Sequence, residues 1–172
     1  MLRICLAATG VSRVYVFENE DDPALGLCMT QICEVCAEGV APQIGNPELQ
    51  HLPFAEGILK LLARLQAHES YACVVSEQEG PERESLEVQN ILSILIEPIF
   101  VSDRLWGFTG FDDCETPRSW KDEEIQILQA VADVLEMTAS HEQAEAALRE
   151  SETNFRRFFE SMADLLGFEA YL

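Results

Sequence analysis

The feature that most constrains this 172-residue chain is an almost uninterrupted apolar run, ILSILIEPIFV, at residues 91–101. A short apolar run without polar alternation is typical of a strand that is covered on both faces. The triplet Ser102-Asp103-Arg104 predicts a turn, and the segment Leu105–Phe111 predicts the returning strand. This hairpin is therefore expected at the centre of the core, with packed layers on both sides.

Three residues of the hairpin restrict its neighbours. Pro98 has no N–H to donate to a ladder, so its end of the strand is expected at a sheet edge or at a bulge. Gly107 and Gly110 remove two side chains from the returning strand. We therefore expect a helix or a ligand to pack closely against that strand.

The segments around the hairpin alternate between strand and helix patterns. In chain order they predict a helix at 2–9 ended by Gly10, a strand at 12–17, a turn at 18–23, a strand at 25–35, a helix with an apolar stripe at Ile58, Leu61, Leu62 and Leu65, a strand at 70–76 and an acidic helix at 82–89. This order predicts an α+β fold, in which a central antiparallel sheet of five to six strands carries helices on its faces.

One long helix is expected from Ser119 onward, because Ser119 and Asp122 resemble a capping pair. Its apolar residues recur at alternating spacings of three and four, at Ile125, Leu128, Ala132, Leu135 and Ala139. Such a seam is typical of a helix that packs on a partner helix, so we expect a homodimer contact here. A second amphipathic stretch runs from Phe155 to Phe168 and suggests the start of another unit.

Net charge argues against several classes of partner. Asp and Glu number 31 against 11 Lys and Arg, which gives a formal net charge of −20. The longest basic patch is Arg156-Arg157, so nucleic acid and anionic membrane surfaces are not expected partners. No uncharged apolar run reaches the roughly 18 residues of a membrane span. Six cysteines are too few for a disulfide scaffold in a chain with this much apolar material, so we expect reduced thiols and a cytoplasmic protein.

Cysteines and histidines are the first candidates for chemistry. Cys33 and Cys36 have the C-x-x-C spacing of redox and zinc sites, but residues three apart in a strand lie on opposite faces. No further ligand pair with zinc spacing follows them, so we expect no metal site. His51, His68 and His141 could each hold haem iron, yet they lie at loop borders or on the polar end of a helix, where a solvated histidine is the plainer interpretation.

Catalytic groups are not expected either. Asp112-Asp113 resembles a carboxylate pair, and Ser93, Ser102 and His68 could form a hydrolase constellation. Acids at a strand end are usually solvated turn residues, and the sequence has neither a nucleophile elbow nor an H-E-x-x-H motif. We therefore predict no catalytic residue.

Several stretches, in order, resemble the GAF sensory domains of bacterial and archaeal signalling proteins. They are GVSRVYVFENE, CEVCAEGV (many members have a Trp in place of Val35), LQHLPF, NILSILIEPIFVSDRLWGFTGFDDC and PRSWKDEEIQIL. The resemblance covers roughly residues 2–145, and the ordered combination is more specific than any single stretch. The later segment AEAALRESETNFRRFFESMADLLGF is similar to the linker and opening helix of a PAS domain.

The resemblance implies a GAF domain at 1–145, with its first helix partly missing, and a PAS linker and opening helix at 146–172. It implies a non-enzymatic sensory and dimerisation module of a sensor histidine kinase or a diguanylate cyclase. Such a module dimerises through its terminal helices, binds a small ligand or relays a conformational signal, and passes it along its C-terminal helix to a downstream PAS or kinase domain.

The family binds its ligands between the sheet and the helix at 54–66, which places seven candidate residues there: Tyr15, Phe54, Ile58, Tyr71, Cys73, Phe108 and Phe111. The same residues could be plain core. The sequence lacks the Asn-Lys-Phe-Asp-Glu signature of members that bind cyclic nucleotides, which disfavours that ligand. The cofactor stays open, with haem, a small organic ligand or none as possibilities. The alternative functions are a thiol-based redox sensor, a haem or metal sensor, and a GAF-type methionine sulfoxide reductase.

Overall fold

The computed structural model describes residues 1–54 and 58–166, with side chains described as far as Met162. The helices are α1 (Leu2–Thr9), α2 (Leu59–Gln66), α3 (Pro81–Val88) and α4 (Asp122–Leu166), with short 3-10 turns at Pro47–Leu49 and Val75–Glu77. The strands are β1 (Arg13–Asp22), β2 (Gly26–Cys36), β3 (Leu52–Pro53), β4 (Tyr71–Val74), β5 (Ser93–Val101) and β6 (Arg104–Asp113).

All six strands form one antiparallel sheet in the order β3-β2-β1-β6-β5-β4. The predicted fold class, an antiparallel sheet of five to six strands with helices and a long C-terminal helix, is therefore confirmed. The residues of the chain form two compact units, Met1–Glu136 and Met137–Leu172. The whole sheet belongs to the first unit. Within the described ranges, no helix is both long and apolar enough to cross a membrane.

The first hairpin is longer than the sequence suggested. The predicted turn at 18–23 is wrong, because β1 continues to Asp22 and pairs with β2 as far as Gly26. Pairing with β2 satisfies the backbone of this polar segment, so its composition does not end the strand. The turn begins at Asp22, whose Oδ1 accepts the backbone N–H groups of Ala24 and Leu25 at 2.7 and 2.8 Å.

Two apolar clusters cover the two faces of the sheet, as the central hairpin requires. Ile94 and Ile96 of β5 belong to a first cluster that includes residues of α2. Leu95 and Ile99 belong to a second cluster that includes residues of α1 and α4. Successive residues of a strand lie on opposite faces, so this one apolar strand contributes to both clusters.

The expectation for Pro98 is confirmed. Beyond the pair Tyr71–Ile96 the strand β4 ends, and Pro98 is paired only with Phe108 of β6. The missing N–H of Pro98 therefore lies in a stretch where β5 is a sheet edge, which is where strands tolerate proline.

The close neighbour of Gly107 and Gly110 is strand β1, which corrects the expectation of a helix or a ligand. A Cβ atom at Gly107 would overlap the carbonyl oxygen of Phe17, and one at Gly110 would overlap the ring and hydroxyl of Tyr15. The glycines thus let β6 approach β1 and leave room for the Tyr15 side chain.

Gly107→Ala is expected to lower the free energy of unfolding by about 1–3 kcal/mol, because the added methyl group overlaps the backbone of β1. Urea denaturation measures the loss. Gly45→Ala is the control, since a Cβ at Gly45 has no atom within 4 Å, and it should stay within about 0.5 kcal/mol of the wild type. Equal unfolding free energies for the two variants would show that the close approach of β6 to β1 does not contribute to stability.

Candidate ligand-binding site

A pocket that is open to solvent on one side lies between the sheet and helices α2 and α3. Most of its wall is apolar and comes from Tyr15, Phe17, Met29, Leu49, Leu52, Ile58, Leu61, Tyr71, Leu86, Ile91, Ile94, Ile96 and Phe108. The polar part of the wall comes from Arg13, Gln31, Glu34, Gln43, Glu82, Ser85, Gln89 and Asp112. An apolar wall with a few grouped polar side chains is the usual composition of a small-molecule site.

Four of the seven predicted pocket residues, Tyr15, Ile58, Tyr71 and Phe108, line this pocket. Phe54 and Cys73 are placed in or against the first apolar cluster without being among the lining residues.

Phe111 lies in the second cluster, on the other face of the sheet, and its ring centroid is 6.3 Å from that of Trp120. Its assignment to the pocket is corrected, because Phe108 and Phe111 are three residues apart on one strand and therefore face opposite ways.

Aromatic rings form one wall of the pocket. Phe17 and Phe108 are paired across β1 and β6, and their rings stack with centroids 4.8 Å apart. Tyr15 meets Phe17 edge to face, with centroids 5.7 Å apart. Alternation along β1 places both rings on the pocket side.

A buried polar group that sequence reasoning missed lies at one end of this wall. Arg13 Nε is 3.3 Å from Asp112 Oδ2, and the Tyr15 hydroxyl donates to Asp112 Oδ1 at 2.9 Å. Arg13 Nη2 also donates to the carbonyl of Gln89 at 2.9 Å. Strand alternation in the sequence does place Arg13 on the same face as Tyr15 and Phe17. No local pattern predicts that Arg13 is paired with Asp112.

Burial governs the ionisation of this group. It raises the pKa of Asp112 from 3.8 to about 7, although Arg13 and the Tyr15 hydroxyl both favour the charged carboxylate. The pKa of Tyr15 is also raised, first by burial and then by the neighbouring Asp112. The charge of this end of the pocket therefore changes close to neutral pH.

A second acid lies at the pocket on helix α3. The Tyr71 hydroxyl donates to Glu82, so an aromatic residue of β4 is tied to the helix that covers the sheet. Burial, followed by this hydrogen bond, raises the pKa of Tyr71. Tyr71 therefore stays protonated and acts as a donor.

Two pocket-lining oxygens have no hydrogen-bond partner among the described residues: Gln31 Oε1 and Glu34 Oε1. Gln31 is only 4% exposed. The other carboxylate oxygen of Glu34 accepts the backbone N–H groups of Gln43 and Ile44 at 2.7 and 2.9 Å, which fixes the loop after β2. Buried polar atoms without partners are rare and need an explanation.

Asp113, next to Asp112, lies on the opposite side of β6 and connects the sheet to α4. Its Oδ2 is 2.9 Å from Arg118 Nε, and Arg118 Nη1 donates to Glu124 at 2.7 Å. The Arg118 guanidinium also lies 4.9 Å from the ring centre of Trp120. The prediction that Asp112 and Asp113 are solvated turn acids is wrong, since both are buried.

The helical seam on α4 is mostly an internal contact within the first unit. Leu128 and Ala132 are buried in the second apolar cluster, and Ile125 and Leu135 pack against it. Ala139 is buried and belongs to the second compact unit. The first four seam residues therefore cover the chain's own sheet, because the apolar face of β5 and β6 needs a helix as much as the seam does.

All six cysteines are unbridged, with Cys33 exposed and Cys36 partly buried. Burial, together with Glu34, raises the pKa of Cys36 to about 11, so it carries little thiolate at neutral pH. His51 contacts Glu20 and Asp22 at the surface, where the hydrogen bond to Glu20 raises its pKa.

In the described ranges no group of three or more His, Cys, Asp or Glu side chains is placed to hold a metal ion. The described pocket wall contains no histidine and no cysteine.

The raised pKa of Asp112 has a consequence for stability. The folded state binds this proton more tightly than the unfolded state, so the contribution is fully present below about pH 4 and is lost as the pH rises through about 7. Asp112→Asn keeps an acceptor for Tyr15 but cannot ionise. Between about pH 5 and pH 8 the wild type should lose on the order of 2–3 kcal/mol of unfolding free energy relative to Asp112→Asn.

Chemical denaturation at several pH values measures this difference. Asp103→Asn, at an exposed turn position, is the control for net charge and should run parallel to the wild type. Parallel curves for the wild type and Asp112→Asn would show that burial does not raise the pKa of Asp112.

Comparison with known proteins identifies the family. The GAF domain family model matches residues 1–138. The methanogenesis regulatory histidine kinase FilI of Methanothrix harundinacea is 41% identical over 132 residues, which are 77% of this chain and 15% of that protein. The circadian input-output histidine kinase CikA of Thermosynechococcus vestitus is 31% identical over 67 residues, which are 39% of this chain and 9% of that protein. The chain thus spans a small part of the length of these relatives.

Solved structures show the same fold. The GAF3 domain of Slr1393 from Synechocystis, in its photoproduct state, superposes with a TM-score of 0.69 at 24% identity, covering 86% of this chain and 93% of that one. The phycocyanobilin-bound GAF domain of a cyanobacterial phytochrome superposes with a TM-score of 0.68 at 20% identity, covering 84% of this chain and 82% of that one. The chain belongs to the GAF domain family and is related to sensor histidine kinases.

Proposed function

We propose that this chain is a non-enzymatic sensory module that binds a small molecule in the pocket between the sheet and helices α2 and α3. The observation that carries the proposal is a largely apolar pocket whose wall includes buried oxygens without partners, at Gln31 and Glu34. A ligand with matching donors relieves the cost of burying those oxygens. Ligand binding is thereby coupled to the stability of the surrounding sheet.

The proposed relay runs through the end of β6. Asp112 lies at the pocket, and its neighbour Asp113 pairs with Arg118, which in turn pairs with Glu124 in the first turn of α4. A ligand that shifts this strand end changes the packing of the helix start. A differential stabilisation of about 1–3 kcal/mol is enough to regulate a two-state partner domain.

The proposed output is a kinase in the same polypeptide, because the curated relatives are histidine kinases. Helix α4 is the proposed connection to a following PAS or kinase domain. Residues 167–172, the end of the proposed PAS opening, lie outside the described residues. The reducing, cytoplasmic setting is likewise proposed, and the unbridged cysteines are consistent with it.

The proposed homodimer contact lies on the second unit. Large apolar side chains are exposed there at Met137, Leu148, Phe155, Phe158, Phe159 and Met162. Four of them, Leu148, Phe155, Phe159 and Met162, follow spacings of seven, four and three residues, which suit a helix-to-helix seam. This set replaces the four seam residues that cover the sheet.

Native mass spectrometry tests the pocket. We expect the purified chain, after incubation with the low-molecular-mass fraction of a cell extract, to gain a non-covalent mass. Leu86→Trp fills the pocket from α3 and should abolish the gain. Val88→Trp, on the same helix but exposed and outside the pocket wall, should keep it. A wild-type chain without added mass, or equal occupancy of the two variants, would contradict a ligand pocket.

Light scattering after size exclusion tests the dimer. The wild type should have twice the 19.3 kDa chain mass. The double variant Phe155→Glu, Phe159→Glu should be monomeric, because it places charges in the proposed seam. Both phenylalanines are exposed in the single chain, so their substitution should not destabilise the sheet. The urea midpoint of unfolding of the sheet should therefore equal that of the wild type. The control Gln143→Glu, Asn154→Glu adds the same charge at exposed polar positions and should stay dimeric. A dimeric phenylalanine variant would refute this seam.

A further inference from the structure

We propose that the pocket selects a largely apolar molecule that carries a hydrogen-bond donor, foremost a protonated amine, and that Glu34 and Gln31 bind this donor. The inference rests on the proposed ligand-binding function and specifies the chemical class of the ligand. Carboxylates, phosphates and other anions of equal size are the ligands that it excludes.

Glu34 is the unambiguous acceptor of the pair. It is paired with Tyr15 across β1 and β2, which places its side chain on the pocket side of the sheet. Its Oε2 accepts the N–H groups of Gln43 and Ile44, and the Cys36 thiol interacts with the same carboxylate, while the buried Oε1 has no hydrogen bond of good geometry in the described chain. A carboxylate oxygen has no proton to donate, so the group that completes it must be a donor.

Gln31 supplies the second polar group. It is paired with Phe17, a residue of the aromatic wall, so its side chain also lies on the pocket side. Gln31 is 96% buried, and its Oε1 has no partner among the residues described. Glu34 and Gln31 are three residues apart, but the strand carries a register shift between them. This irregularity is what lets both side chains reach the same face.

The charges around the pocket also favour a donor. Three carboxyl groups line it, on Glu34, Glu82 and Asp112, against one guanidinium, on Arg13. The Arg13 charge is already paired with Asp112, whose Oδ2 lies 3.3 Å from Nε although Nε makes no hydrogen bond, and Nη2 donates to the carbonyl of Gln89 and to Cys114 Sγ at 3.2 Å. An anionic ligand would face these carboxyl groups without an available cation on the described wall, whereas an ammonium group meets complementary charge.

The apolar part of the wall sets the rest of the ligand. Phe17 and Phe108 are stacked and offer a flat apolar surface. Met29, Leu61 and Ile96 add aliphatic surface around it. A molecule with a ring or a branched hydrocarbon body and one amine at its end matches both regions of the pocket.

A matched fragment set tests the inference. The set holds an aryl-alkyl amine, its neutral isostere and a carboxylic acid on the same ring, for example tryptamine, 3-propylindole and indole-3-propionate. Binding to the purified chain is followed by protein-observed NMR at rising concentration. We expect amines to bind about tenfold more tightly than the acids, as a charged hydrogen bond in a buried site would give.

Variants assign the preference to residues. Glu34→Gln should remove the roughly tenfold preference for amines while neutral isosteres bind as before. Gln31→Met, which is close in size and has no oxygen, should weaken amine binding without changing that of the neutral isosteres. Glu38→Gln makes the same charge change at an exposed position outside the pocket and should bind like the wild type.

The possible results distinguish the proposed amine preference from the proposed ligand-binding function on which it rests. Acids that bind as tightly as amines, or an amine preference that survives in both Glu34→Gln and Gln31→Met, would overturn the inference and leave a ligand pocket standing. Failure of all three classes to bind at millimolar concentration would overturn the ligand pocket itself. An amine preference that depends on Glu34 or Gln31 would support both.

Discussion

The pairing of β1 with β6 is the contact on which the rest of the structure depends. It joins the first and the last strand that the structure describes, and the Tyr15 hydroxyl donates to Asp112 across a separation of 97 residues. Val14 and Phe111, paired in the same ladder, are fully buried on the other face. A buried ion pair such as Arg13–Asp112 contributes little net stability, but it penalises any register that leaves one charge alone. The close fit of β6 on β1 therefore fixes which residues reach the pocket.

Two neighbouring residues of β6, Asp112 and Asp113, make contacts on opposite faces of the sheet, because side chains alternate along a strand. Asp112 contacts Arg13 and Tyr15 on the pocket side, and Asp113 contacts Arg118 on the side of α4. The two residues are joined by one peptide unit, so a displacement of one moves the other. The pocket and the start of α4 lie on opposite faces of the sheet. They are connected through the neighbouring residues Asp112 and Asp113.

Local patterns predicted the elements, and long-range register decided the site. Hydrophobic periodicity identified the central hairpin, the α2 stripe and the long helix α4, because each pattern is local. The predicted start of α4 at Ser119 is wrong, since the helix begins at Asp122. Phe111 was assigned to the pocket together with Phe108, although two strand residues that are three positions apart face opposite sides of the sheet. The seam on α4 was read as a dimer contact because a sequence does not say which surface covers an apolar face. The contact of Arg13 with Asp112 depends on the pairing of β1 with β6. The shared face of Gln31 and Glu34 depends on a register shift. A local sequence pattern shows neither of these long-range features.

The net charge of the chain and the charge of the pocket wall have the same sign. A chain with a net charge of −20 carries a negative potential that repels phosphates and concentrates cations near its surface. The pocket repeats this imbalance at short range, with Glu34, Glu82 and Asp112 against Arg13. Burial raises the pKa of Asp112 to about 7 even beside Arg13, so the charge of the pocket wall is sensitive to further charges placed near this carboxyl group at neutral pH.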